Sequence, residues 1–294
     1  MDAKITVFTP TYNRAAYLPR CYRSLMEQRD QRFVWLIVDD GSTDDTRALV
    51  RTWQREGAVD IRYIYQQNQG MHGAHNTAYS HIDTELNVCL DSDDFFYPDA
   101  VHNMLLFWEM FGTTEAAGFA ALNTNMEGRL IGTPFPSTLT RSTLFDLYNR
   151  WSVRGDKKLV YRTELTKLYP YPLFHGERYV GLAYKYYKLD QHYPLLLMNE
   201  PVCYVDYQLD GSSHNMLYQY KSNPQGFAFY RRELMQLEQS CLPFQFRQCI
   251  HYVSSSMLGR NRRFLRESPK KGATIAAIPF GALLYCYIQW KTTA

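Results

Sequence analysis

The sequence predicts an α/β fold on a doubly wound, mostly parallel sheet, and three observations carry that prediction. Four short apolar runs recur before residue 91, each separated from the next by a helix-like stretch. Each run ends in a polar cluster, so four polar tips fall on one edge of the expected sheet, where open α/β sheets bind ligands. After Glu115 the alternation stops and an aromatic, proline-punctuated half begins, packed on the same sheet.

The first run, Lys4–Thr9, is rich in β-branched residues and leads into the loop "TPTYNR" and a helix over Ala15–Gln28. The second, Phe33–Val38, ends on Asp39-Asp40-Gly41. Ser42 and Asp45 then stand three apart as a capping pair for the helix carrying "TRALVRTW". The third, Ile61–Gln66, precedes "QNQGMHG" and the helical "GAHNTAYSHI". The fourth, Leu86–Leu90, runs into "DSDD", and Pro98 opens a further helix. In the second half a helix is expected over Glu177–Leu189 and a strand over "LLLMNEPVCYVDY". The expected organisation is residues 1–114 as a donor-binding half, 115–235 as an acceptor half of the same domain, and 236–294 as a helical extension.

Composition narrows the class. The 294 residues are 46% hydrophobic and 21% charged, as in a globular chain, and the net charge of +3 is too small to argue for nucleic-acid binding. The 6 cysteines are scattered without a CxxC pair and read as small apolar residues in a reduced compartment. The chain runs directly into a strand without a leader-like segment, which points to the cytoplasm.

Asp91, Asp93 and Asp94 crowd one strand tip, although like charges this close repel. Capping of the following helix is one explanation. A cation is the other. The first turn has no glycine and the chain has no GxxxxGK[ST], so a phosphate cradle of backbone amides is not available. Carboxylates clamping Mg²⁺ or Mn²⁺ on a diphosphate are the alternative.

"TPTYNRAAYL", "VDDGSTDDT", "NQGMHGAHN" and "LDSDDFFYPD", in this order, resemble the nucleotide-sugar half of family 2 glycosyltransferases of the GT-A fold. The second half, around "YRTELTKLYPYPLFHGERYVG", more loosely resembles the branch that builds bacterial cell-envelope polysaccharides. The resemblance implies an inverting, metal-dependent transfer of a hexose or N-acetylhexosamine from a nucleotide diphosphate, UDP by expectation. The implied acceptor is a polyprenyl-diphosphate-linked saccharide at the cytoplasmic membrane surface.

By the same resemblance Thr9, Pro10, Tyr12 and Arg14 cover the base and Asp39 accepts from the uracil imide, while Asp40 caps its turn. Gly73 and Asn76 approach base and ribose. Met71 stands where the branch often carries Lys, and His72 and His75 are read as surface histidines without a ligand role. Asp91 and Ser92 face the ribose or the metal's water, Asp93 binds the metal directly, and Asp94 stands behind them. Glu177 is the implied general base, although Arg178 replaces the Asp of the usual Glu-Asp pair; Asp206 and Asp210 are the fallbacks. His214, on a late loop, is a further metal or diphosphate ligand.

The tail joins basic "GRNRRFLRESPKKG" to apolar "ATIAAIPFGALLYCYIQW". The apolar run is read as too short to span a bilayer, leaving an interfacial anchor or a packed helix. Two rivals remain. A sugar-1-phosphate nucleotidyltransferase shares the sheet but wants a Gly-rich first loop, and a degenerate relative would bind nucleotide-sugar as a scaffold without turnover.

Overall fold

A computed structural model describes residues 2–208 and 216–292. The chain divides into two compact units, one of residues 1–170 and 192–208, the other of 171–191 and 209–294. These limits cut the chain elsewhere than the expected boundaries at 114 and 235.

The first unit holds nine strands: β1 Ile5–Thr11, β2 Phe33–Asp39, β3 Ile61–Tyr65, β4 Leu86–Cys89, β5 Phe95–Phe96, β6 Gly118–Thr124, β7 Arg141–Ser142, β8 Lys158–Arg162 and β9 Leu195–Tyr204. Its helices are α1 Leu18–Met26, α2 Thr46–Glu56, α3 Met71–His81, α4 Ala100–Phe111, α5 Leu144–Asn149 and α6 Thr163–Thr166. The sheet order is β3-β2-β1-β4-β8-β6-β9-β5, with β7 paired to β9. From β3 to β4 all pairs are parallel, as predicted. The half expected to bind the acceptor continues the same sheet, with β8 inserted antiparallel between β4 and β6. All seven residues of β1 and of β2 are buried, which is why both read as continuous apolar runs.

Two local expectations change. The Ser42–Asp45 capping pair does not form, because Ser42 Oγ accepts instead from the Asn13 amide at 2.9 Å. His72 and His75 are not surface residues: α3 packs on β1 and β2, and both imidazoles are buried. His75 lies edge-on to Phe8, with ring centroids 5.0 Å apart.

The second unit is helical: α7 Ala183–Leu189, α8 Met216–Ser222, α9 Pro224–Leu234, α10 Leu242–Leu258, α11 Phe264–Glu267 and α12 Lys271–Lys291. α7 starts later than expected, because the Arg178 amide donates to Asn223 Oδ1 at 2.6 Å rather than entering a helix. Met235, Cys249, Tyr252, Val253 and Ala277 form the core between α9, α10 and α12. Gly281 lets α12 approach α10 closely, since a Cβ there would stand 2.5 Å from Val253 Cβ. The apolar tail is also longer than expected. α12 runs unbroken through Pro279 for 21 residues, long and apolar enough by length and composition alone to cross a bilayer.

Lys185 on α7 is 1% exposed, its amine 5.1 Å from the Tyr171 ring centroid. Burial pulls its pKa down to about 7. Between that value and the ordinary value near 10.4 the unfolded chain binds the extra proton, so stability rises with pH there. Below about pH 7 both states are protonated and the full penalty stands. Lys185→Met is expected to flatten the pH dependence of Tm between pH 7 and 10 and to raise stability at pH 7 by a few kcal/mol, as read by thermal and urea unfolding.

Candidate active site at the carboxyl edge of the sheet

The first three strand tips are stitched together by polar side chains. Asn13, in the left-handed region at φ 53°, accepts through Oδ1 from the Thr43 amide at 2.8 Å. Asp44 accepts from the Ala15 amide at 3.0 Å. Asp40 reaches across to the neighbouring tip. Its carboxylate accepts from the Gln69 and Gly70 amides at 2.8 Å each and from Gln66 Nε2 at 2.7 Å, fixing the third tip. Gly70 turns the chain into α3 at φ 80°, a conformation that favours glycine.

The expected base-reading residues separate into two groups. Thr9 lies inside the sheet, donating to the Leu90 carbonyl at 2.7 Å and accepting from Trp35 Nε1 at 2.9 Å. Pro10 is buried with it. Tyr12, by contrast, is 49% exposed, and the Arg14 guanidinium lies 5.0 Å from the Tyr17 ring centroid. Asp39 is fully enclosed, with Oδ1 accepting from the Ser42 amide and Oδ2 from the Tyr63 hydroxyl. Burial and this carboxylate push the Tyr63 hydroxyl well above its ordinary pKa. Gly73 is buried and Asn76 half-buried within α3.

At the fourth tip the Asp94 amide donates back to the Asp91 carbonyl at 3.0 Å, closing a tight turn that buries Ser92. The three acids then part company. Asp94 faces Lys158, whose amine lies 3.4 Å from Oδ2 and 3.3 Å from the Cys89 carbonyl. Both side chains are buried. Burial pushes the Asp94 carboxyl up to about 7 against the pull of Lys158. Burial also disfavours a charged Lys158, but Asp94 and Asp91 hold it protonated. So a protein cation, not a metal, makes Asp94 tolerable.

Among the described residues, Asp91 and Asp93 enter no ion pair. Burial and the charge of Asp91 raise the Asp93 carboxyl. Arg14 offsets this only in part, and two neighbouring carboxylates without a direct ion pair among the described residues fit a hard divalent cation whose remaining ligands are water and substrate oxygens. A cage made by protein alone is not present, since no group of three or more His, Cys, Asp or Glu converges among the described residues.

Arg20, given no role from the sequence, braces the turn from α1. Its Nη2 donates to the Asp93 carbonyl at 2.6 Å and to Asp206 Oδ2 at 2.7 Å, over the Phe95 ring. Lys158 was equally silent, because only the antiparallel register Val88↔Val160 shows that it flanks the tip of β4.

Glu177 belongs to the second unit. Its two oxygens accept from the Gln225 and Gly226 amides at 2.9 and 2.7 Å, which caps α9 at the end where Asn223 supplies no side-chain cap. Asp210 and His214 lie outside the described residues.

Residues 6–142 match the family model described as Glycosyl transferase family 2. An uncharacterised glycosyltransferase of Nostoc sp. is 31% identical over 175 residues, 57% of this chain and 53% of that protein. The chondroitin synthase of Escherichia coli is 37% identical over 97 residues, 33% of this chain and 14% of the synthase. The chain thus matches about half the length of the first relative and far less of the second. Among solved structures, Staphylococcus aureus TarS residues 1–349 in complex with UDP-GlcNAc superposes with a TM-score of 0.62 at 17% identity, over 93% of this chain and 79% of that one. The mannosyltransferase PcManGT of Pyrobaculum calidifontis, in complex with GDP-Man and Mn²⁺, gives 0.56 at 18% identity, over 99% and 81%. These likenesses establish the fold. Residues 6–142 thus carry the match to the family 2 glycosyltransferases, set in a sheet of the GT-A type.

Proposed function

We propose that the chain is an inverting glycosyltransferase that moves a sugar from a nucleotide diphosphate to a saccharide acceptor. The observation that carries this reading is the pair Asp91 and Asp93, which enter no ion pair among the described residues while Lys158 pairs with Asp94. The nucleotide-sugar complexes of the two structural neighbours, one of them with Mn²⁺, support it. Asp91 and Asp93 would hold Mg²⁺ or Mn²⁺, which when bound supplies the charge that stabilises a leaving diphosphate.

The remaining roles fall to the chain's own side chains. Arg20 holds the Asp93 backbone, so the carboxylate is placed before substrate arrives. Asp39 keeps a further lone pair on each oxygen, and one of these is proposed to accept the uracil imide N–H. A base presenting only acceptors there would set its lone pairs against the carboxylate, which disfavours it. The acceptor proton is assigned to Asp206, held beside the acidic turn by Arg20 and 30% exposed at its side chain. Glu177 is assigned to capping α9, because both its oxygens are committed to backbone amides. Relatives named as a chondroitin synthase and a teichoic acid polymerase support a polymeric saccharide acceptor of the cell-envelope kind, and its carriage on a polyprenyl lipid at the cytoplasmic membrane is part of the proposal.

The test of the donor is a thermal-shift screen of nucleotide-sugars with Mn²⁺, followed by release of the nucleotide diphosphate with and without EDTA. Uridine donors should raise Tm; a shift by cytidine donors alone, whose ring N3 only accepts, overturns the Asp39 assignment, and binding without release favours a scaffold. Glu177→Gln is expected to cost about 1 kcal/mol as a weakened cap and to leave kcat within about tenfold. A general base would instead cost about 10²–10⁴ in kcat without a change in Tm.

A further inference from the structure

We propose that the outward face of α12 is a docking surface for an anionic lipid bilayer. Helices on a protein surface normally bury an apolar stripe and turn charge to water. α12 is built the other way round. The residues it buries are mostly small, Thr274, Ala277 and Gly281, with Ile288. Elsewhere on its surface it exposes Ile275, Leu283, Tyr287 and Trp290, at 57%, 70%, 46% and 65%. These four stand at helical spacing along about 23 Å of axis, at 1.5 Å per residue. No charged residue interrupts them between Lys271 and Lys291.

The charges flanking this face select its occupant. From residue 260 to the end of the chain stand Arg260, Arg262, Arg263, Arg266, Lys270, Lys271 and Lys291, against a single acid, Glu267. Two copies meeting through this face would bring two such basic sets together, which disfavours a dimer. A lipid surface rich in phosphate complements them, while aromatic rings such as Tyr287 and Trp290 suit the depth just below the headgroups. Crossing the bilayer is disfavoured by the partner helix: α10, packed along α12, carries Arg247, Gln248 and His251, which hydrocarbon would strip of water. The helix therefore lies in the interface with its apolar side down. This deepens the reading of a membrane-borne acceptor, but its test needs no transfer reaction.

The experiment is co-sedimentation of the full chain with vesicles of phosphatidylcholine alone, or with about 30 mol % phosphatidylglycerol, at low and high salt. Binding to the anionic vesicles is expected to exceed binding to neutral ones by at least about tenfold and to weaken at high salt. The double variant Leu283→Glu with Trp290→Glu should lose vesicle binding while keeping its Tm and its thermal shift with nucleotide-sugar. Replacing Arg262, Arg263, Lys270 and Lys271 by Gln should remove the preference for anionic lipid. Unchanged binding by the double Glu variant overturns the proposal. So does resistance of the bound chain to alkaline carbonate, which marks a spanning helix. A stable dimer by light scattering that the Glu variant splits, with no vesicle binding by the parent, overturns it in favour of a second copy. Failure of the nucleotide-sugar shift in the parent strikes the donor reading instead and leaves this one standing.

Discussion

Asp93→Asn is expected to lower kcat for sugar transfer by about a thousandfold, the largest effect of any substitution at the acidic turn. The ranking follows from what each acid faces. Asp94 is matched by Lys158 inside the protein, whereas Asp93 is half-buried beside Asp91 without an ion pair among the described residues. Burying a carboxylate next to another costs free energy that only an added cation offsets. Asp93→Asn should therefore be neutral or slightly stabilising in the free protein, while the Mn²⁺ concentration needed for half-maximal turnover rises sharply. Asp94→Asn should act the other way, lowering Tm because it strands the Lys158 ammonium, with a smaller loss of kcat. Steady-state kinetics across a Mn²⁺ series, with unfolding of the metal-free variants, separates the two. Equal loss of turnover in both, without a change in metal dependence, would remove Asp93 from the metal site.

The parts of the molecule legible from sequence are those decided by local pattern. β1 and β2 are enclosed on both faces, so their composition alone marks them, and the acids at their tips follow from the parallel connection. What escaped was decided by register and by competition between partners. Ser42 has the spacing of a cap, yet the Asn13 amide claims its hydroxyl. Glu177 resembles the start of a helix and instead caps a different one, 48 and 49 positions further along. His72 and His75 look like polar surface residues, but α3 turns them onto the sheet. Lys158 opens "KLVYR", a run with charged ends that shows no sign of burial, and only its place beside β4 reveals the partner of Asp94. The polar edge of the sheet was thus visible as four tips, while the charges that make its acids tolerable were not.

Lys158→Met supplies the second large effect. The substitution keeps most of the side-chain volume, so its consequence is electrostatic: a buried Asp94 carboxylate loses its cation, which costs about 3–5 kcal/mol when the carboxylate stays ionised. Asp94 has a way out, because burial already holds its pKa at about 7 and Lys158 is what pulls it down. Without Lys158 the folded-state value rises further above the ordinary range near 3.9. A carboxyl raised on folding keeps its contribution below the unfolded pKa and loses it as pH climbs through the folded value. The variant should therefore be close to the parent in stability near pH 5 and fall progressively behind it between pH 6 and 9. Turnover should drop by about 10–100-fold, since Lys158 supports the turn that carries Asp91 and Asp93 without itself reaching the donor. Adding Asp94→Asn to Lys158→Met removes the stranded charge, so the double variant should recover much of the lost stability and lose the excess pH slope. In a double-mutant cycle the two positions should couple by more than about 1 kcal/mol at pH 8. Additive losses across the cycle would mean that the amine and the carboxylate do not hold one another, and that the acidic turn owes its tolerance to something other than Lys158.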